Sequence, residues 1–385
     1  MPHMIPAPGE FAAGAAIFAT VLWDAFESII LPRRVTRRFR LARAFYKFTW
    51  NTWKFLTGLI TARRKRETLL SFYGPLSLLI LVVVWAIGLV LAFGLMQYGA
   101  GSSVNVAGGS PGFATDAYLS GTTFFTLGLG DVVPQNSLAR FLVVLEAGVG
   151  FGFLAAVIGY LPFIYGSFSK REVNISLLDA RAGTPPTAGE LLRRHAYPGG
   201  SEALRQLFKD WEFWAADLME SHLSYPVLAF FRSQHDNQSW IAALTAILDS
   251  CALVKTCIED TCKRQAELTF AIARHAAVDL SQVFKTPPRA LPHNRLPAEE
   301  LGRIRDALAQ LGWQIRDGDE VGERLAELRK MYEPYLYALA EYLSLSLPPW
   351  IPAAKAKDNW QTMAWGHSAG LSEKEAAAIG AEDHF

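Results

Sequence analysis

The chain has 385 residues, of which 51% are hydrophobic and only 19% charged, a balance that excludes a disordered chain and points to membrane-embedded segments. Its formal net charge of +1 hides an asymmetry: Arg33 to Arg66 holds twelve Lys or Arg and no acid, leaving 25 basic against 36 acidic residues elsewhere, a net −11. No residue set suits an enzyme, and nucleic acid is not an expected partner.

The first apolar run, Phe11 to Leu31, is about 21 residues long and suits a bilayer-crossing helix. Asp24 and Glu27 in its second half are expected to pair with Arg33 or Arg34 at the interface. No Lys or Arg precedes Arg33, so the basic start of a cleavable signal is missing and this span is expected to be retained. Residues 1–32 therefore read as an N-terminal transmembrane helix with its N-terminus outside, because the basic block after it is held inside.

Residues 33–68 read as a basic cytoplasmic and interfacial segment whose cations, Arg33 to Arg66, meet anionic lipid headgroups of the bilayer. Arg34, Arg37, Arg40 and Arg43 recur every third residue, as in voltage-sensing helices. Pro32 precedes them, Arg33 and Arg38 add charge on other faces, and too few spans surround them, so a solvated or headgroup face is expected. In LARAFYKFTWNTWKFLTGLIT, Leu41 to Thr61, the polar Arg43, Lys47, Asn51 and Lys54 share one helical face. Three cations at a bilayer centre would cost roughly 8 to 10 kcal/mol, whereas seven Leu, Ile or Phe return about 2 to 4. This helix is expected to lie on the inner surface.

From Leu69 to Ala114 there is no Asp, Glu, Lys or Arg, and Leu76 to Met96 is long enough to span. A glycine- and serine-rich loop, Gly99 to Gly112, follows. A helix of about eleven residues then begins near Thr115, with Asp116 in its first turn, too short to cross a bilayer. TLGLGD, Thr126 to Asp131, comes directly after it. The last span, from about Ser137 through Phe141 to Ser169, carries one charge after Arg140, Glu146. Gly148, Gly150, Gly152 and Pro162 lie inside it, and they suit either close helix packing or a gate hinge. A lone membrane carboxylate is a functional position by default. Glu146 is expected behind TLGLGD, bonded to backbone or to Thr123, as an anchor or as a proton-sensitive switch.

Irregular backbone at membrane depth survives only where protein shields it or where it lines a watery cavity. Gly128 and Gly130 accept backbone angles closed to other residues, so the carbonyls of Thr126, Leu127, Gly128 and Leu129 can all face one axis. Four copies around that axis would stack oxygen rings able to replace the water shell of a monovalent cation.

DAYLSGTTFFTLGLGDVVP, Asp116 to Pro134, resembles the pore helix and selectivity filter of potassium channels of the two-transmembrane pore-loop type, whose signature is T-V-G-Y-G-D. Thr126, Gly128, Gly130 and Asp131 match; Leu127 replaces valine, Leu129 stands at the tyrosine and Phe125 at a common threonine. Ser120 and Pro134 also fall at familiar places, and LEAGVG, with Glu146 and Gly148, resembles the start of the inner helix in bacterial members. The resemblance covers roughly Phe72 to Tyr165. It implies an all-α membrane protein built on a homotetrameric, potassium-channel-like pore module over 69–169, in a bacterial inner membrane. It implies K+ held by the carbonyls of Thr126, Leu127, Gly128 and Leu129, with no other cofactor. A weakly selective cation pore and a non-conducting membrane-anchored sensor or scaffold are the alternatives.

Residues 170–385 read as a cytoplasmic helical domain ending in a loosely attached tail. TAGE, Thr187 to Glu190, has the form of a capping box. Helical periodicity runs over Ala203 to Leu218, Trp240 to Phe284, Glu299 to Leu311 and Gly322 to Leu345, with the proline-rich Phe284 to Pro297 separating two halves. No nucleotide-binding glycine pattern occurs. RSQHDNQSW, Arg232 to Trp240, is the candidate loop for an unidentified cytoplasmic ligand. His222, His235 and His275 show no metal spacing, and Cys251, Cys257 and Cys262 are expected as reduced, buried thiols.

Overall fold

The computed structural model describes residues 7–31, 40–101, 104–106, 112–235, 237–259, 261–316 and 318–352. The chain divides into two compact units, Met1–Gly166 and Ser167–Phe385. Arg33, Arg34, Arg37, Arg38, Asp236 and the expected tail from 353 onward lie outside the described residues.

Helices α1 (Pro8–Ile29) and α3 (Arg63–Gly99), and α5 (Ser137–Ala182), which begins in the first unit, are each long and apolar enough to cross a membrane. The molecule is an all-α, multi-pass membrane protein. Helices α1 and α3 pack antiparallel, as successive contacts show. Ala7 N–H donates to Gly99 O at 3.0 Å, a Cβ on Gly14 would fall 2.6 Å from Ala92 O, and one on Gly88 would fall 3.0 Å from Val21. Glycine at these crossings brings the two backbones together.

Helix α2 (Leu41–Gly58) is amphipathic and is not among the helices apolar enough to span. It buries Ala42, Trp50 and Thr57, and the Trp53 indole donates to Leu69 O at 3.1 Å. Phe48, Phe55, Leu56 and Leu59 are exposed on another side. Helix α3 begins at Arg63, earlier than the expected boundary at 69. Lys and Arg are good helix formers, so the basic cluster Arg63 to Arg66 becomes its first turn.

Asp24 and Glu27 are both buried; the expected partners Arg33 and Arg34 lie outside the described residues, and both acids also have partners within them. Asp24 accepts from the Trp85 indole at 3.0 Å and from Ala42 N–H at 3.0 and 3.3 Å. Glu27 lies 3.4 Å from Arg40 and accepts from the Trp23 indole at 2.7 Å. The acid of α1 thus seats on the N-terminal turn of α2, where backbone N–H groups lack intrahelical partners.

Helix α4 (Phe113–Phe124) has twelve residues. The flanking loops meet in a short antiparallel pair, β1 (Val104–Val106) with β2 (Val132–Pro134), in the register Val104 to Pro134, Asn105 to Val133 and Val106 to Val132. No periodicity announces this pair, because three-residue strands carry too little pattern. Helix α5 runs unbroken through Pro162 to Ala182, beyond the expected end at 169. Nothing between Gly166 and Gly183 stops it, since that stretch holds no Pro or Gly.

The second unit is helical. The Thr187 side chain accepts from Glu190 N–H at the start of α6 (Ala188–Arg194), the first half of a capping box. The second half does not form, since Thr187 N–H donates to Ala182 O and the Glu190 carboxylate accepts from Arg193 and Arg194. Next come α7 (Gly200–Ser224), a 3-10 turn over Pro226–Phe230, and α8 (Trp240–Thr256), which is buried along nearly its whole length. The expected Trp240 to Phe284 helix is two, α8 and α9 (Lys263–Phe284). Between them Glu259 N–H bonds to Gln314 O and Arg316 N–H to Cys257 O, so the chain leaves the helix to pair with a distant segment. After α10 (Ala298–Gln310), the Gly322 to Leu345 stretch also divides, into α11 (Asp319–Lys330) and α12 (Glu333–Leu343). Pro334 explains the break, since it has no N–H to continue α11 and sits in the first turn of α12.

Candidate functional site: the turn after the half-crossing helix

Thr126 to Asp131 follows α4 directly. Its backbone has left-handed φ at alternate residues, 59° at Thr126, 56° at Gly128 and 79° at Gly130. Glycine takes these angles freely, whereas a β-branched threonine does so only when its surroundings enforce it. Here they do. Thr126 N–H donates to Thr123 O at 3.0 Å, and Thr122 O accepts from Leu127 N–H at 2.7 Å and from Gly128 N–H at 3.3 Å. The last turn of α4 therefore sets the path of the stretch that follows.

All seven residues from Phe125 to Asp131 are exposed in the single chain, with Phe125 at 60%, Leu127 at 62% and Leu129 at 63%. Neither Gly128 nor Gly130 has an atom within 4 Å of where a Cβ would stand. At the far end, Tyr118 on α4 donates from its phenol to Asp131 Oδ2 at 3.0 Å. Leu129 has no polar atom with which to make such a tie.

Behind the turn, α5 grips α4 at two points one helical turn apart. Glu146 is fully buried and bonds through Oε1 to the Ser120 hydroxyl, not to the Thr123 side chain. Ser120 also donates to Val90 O of α3 at 2.7 Å. At Gly150 a Cβ would lie 2.3 Å from Phe124 O, so this glycine serves close packing. Gly148 and Gly152 have no atom within 4 Å of a would-be Cβ, and Pro162 is exposed within the continuous helix. The structure thus brings Thr123, Thr126 to Asp131, Glu146 and Gly150 around α4, and leaves Gly148, Gly152 and Pro162 on open faces. Sequence reasoning missed Tyr118 and Val90 as partners. A tyrosine on the half-crossing helix was the one available signal, and a backbone carbonyl gives none.

The candidate loop of the second unit is occupied with structure. Arg232 donates to Leu343 O and Ser344 O at 2.7 and 3.1 Å, Ser239 caps α8, and Trp240 donates to Ala229 O. His222 is buried against Arg171 at 3.2 Å, and His275 lies 3.5 Å from Asp279. Among the described residues no group of His, Cys, Asp or Glu could hold a metal ion. Cys251, Cys257 and Cys262 are free thiols, the first two buried and Cys262 partly so. Burial pushes the Cys262 thiol up to about 12.

A half-crossing helix, an irregular turn and two flanking spans are the parts of a membrane pore module. Residues 77–162 match the protein-family model described as Ion channel, which takes in α4, the TLGLGD turn and most of the spans on either side. No curated protein matches the chain, and no solved structure does.

Proposed function

We propose that four copies of this chain form a potassium-selective channel whose filter is Thr126 to Asp131. One observation carries the reading: an irregular, apolar and exposed turn with alternating left-handed angles at 126, 128 and 130, set between helices that cross the membrane. Hydrocarbon offers N–H and C=O groups no partners, so such a turn must line a polar path shared with other copies. Cyclic symmetry supplies those copies, because each chain provides a single turn. Alternating angles direct the carbonyls of Thr126, Leu127, Gly128 and Leu129 to one side, where they replace the hydration shell of a passing K+. The C-terminal end of α4 adds its negative dipole toward the cation.

The basic segment to Arg66 faces anionic headgroups on the cytoplasmic side of a bacterial inner membrane, with the second unit on the same side. Gly148 and Gly152, with no atom near a would-be Cβ, and the exposed Pro162 are the positions where α5 bends to gate. A weakly selective cation pore is favoured by one observation, Leu129, which lacks the hydroxyl that would brace the carbonyls from behind.

Full-length protein in liposomes should carry barium-sensitive K+ current, with a reversal potential near that of K+ in mixed K+ and Na+. A reversal potential midway between the two ions would establish the less selective pore. Sealed liposomes without flux would reduce the pore module to a scaffold.

A further inference from the structure

Glu146, Ser120 and Val90 form a line of oxygen atoms across three helices, and the line is short of hydrogens. Ser120 Oγ stands 2.7 Å from Val90 O and in contact with Glu146 Oε1. A serine hydroxyl has one hydrogen, and a carbonyl oxygen has none. If Glu146 were ionised, both neighbours would compete for that one hydrogen and one close oxygen pair would have none between them. If Glu146 carries its own proton, the conflict ends, with the carboxyl donating to Ser120 and Ser120 donating to Val90.

The other carboxyl oxygen gives a second, independent count. Glu146 Oε2 is buried without a hydrogen-bond partner in the protein, and Glu146 makes no ion pair among the described residues. A buried anionic oxygen in that position would carry a heavy desolvation penalty, whereas the carbonyl oxygen of a neutral acid carries a small one.

We propose that Glu146 is a neutral acid acting as a positioning residue for the filter, through a directed relay from its O–H to Ser120 and from Ser120 to Val90. The relay clamps α4 between α5 and α3. Two residues beyond Ser120, Thr122 O holds Leu127 N–H and Gly128 N–H. Any shift of α4 is therefore passed to the peptide planes that carry the carbonyls of Thr126 and Leu127. Gly150 adds the second grip one turn along, at Phe124 O.

The effect on flux rests on the channel reading, but the protonation does not. Infrared difference spectra of full-length protein in liposomes at neutral pH, wild type minus E146Q, should show a protonated-carboxyl stretch and no carboxylate band. A carboxylate band instead would overturn the proposal, whether or not the protein conducts. In the flux arm, E146Q, whose amide can still donate to Ser120, should keep the wild-type K+ to Na+ permeability ratio. E146A and S120A should lower that ratio about three- to tenfold, the worth of one ordinary hydrogen bond. E146Q matching E146A would overturn the relay. If wild type itself carries no current, the channel reading fails and the infrared arm alone decides the protonation.

Discussion

Tyr118 donates a 3.0 Å hydrogen bond to Asp131, tying the middle of the half-crossing helix to the outer end of the turn it precedes. Thirteen residues separate the two in the chain, and the bond closes a loop around Thr126 to Gly130. Tyr118→Phe should leave thermal stability within about 0.5 kcal/mol, because an exposed bond contributes little. Its reversal potential in mixed K+ and Na+ should move toward that of Na+. An unmoved reversal potential would show that Asp131 needs no tether.

The glycines of α5 should separate by what faces them. Gly150→Ala places a methyl where Phe124 O already stands, and such overpacking costs about 1 to 3 kcal/mol. Gly148→Ala and Gly152→Ala meet no atom and should gain about 0.5 to 1 kcal/mol from helix propensity. Thermal unfolding of the three variants in one detergent checks the order. If Gly148 and Gly152 serve as hinges, their alanine variants should also lower open probability while melting no earlier than wild type.

Asp24 holds α1, α2 and α3 at one point through Trp85 and Ala42 N–H. Asp24→Ala leaves two buried donors without acceptors and should cost about 2 kcal/mol or more. Asp24→Asn keeps one carbonyl acceptor and should cost less. Hydrogen exchange at the first turn of α2 should rise most in the alanine variant. Equal protection in all three proteins would show that α2 is seated by Trp50 and Trp53 alone.

In the second unit, burial first and the neighbouring Arg171 guanidinium second hold His222 well below the usual imidazole range. The native form therefore binds fewer protons than the unfolded chain, whose histidine titrates near about 6.5. Stability from this site is complete above that pH and declines as pH falls below it, by up to about 1.4 kcal/mol per unit. Protection factors for α7 should drop between pH 7.5 and 5.5. His222→Gln, which retains an acceptor for Arg171, should flatten that drop. An equal drop in the variant would assign the acid sensitivity to another group, such as His195, which burial also lowers.

Much of the architecture is legible in the residues. Three charge-poor runs became α1, α3 and α5, the Leu41 to Thr61 stretch formed the amphipathic helix α2, and Thr187 of TAGE capped α6. These are local properties, expressed within one or two turns of the residues that carry them. What the residues did not disclose crosses longer distances. Asp24 bonds to Trp85, 61 residues away. Arg295, inside a stretch read as a separator, is buried against Asp249 at 2.8 Å and Glu333 at 2.7 Å.

The sequence by itself determined which segments are apolar enough to leave water and where glycine frees the backbone, because hydrophobicity and backbone freedom belong to individual residues. Only the tertiary structure decided that Ser120 meets Glu146, that Tyr118 meets Asp131 and that Gly150 seats on Phe124. Those meetings depend on how helices rotate and slide against one another, and that is fixed by the packing of all their side chains together.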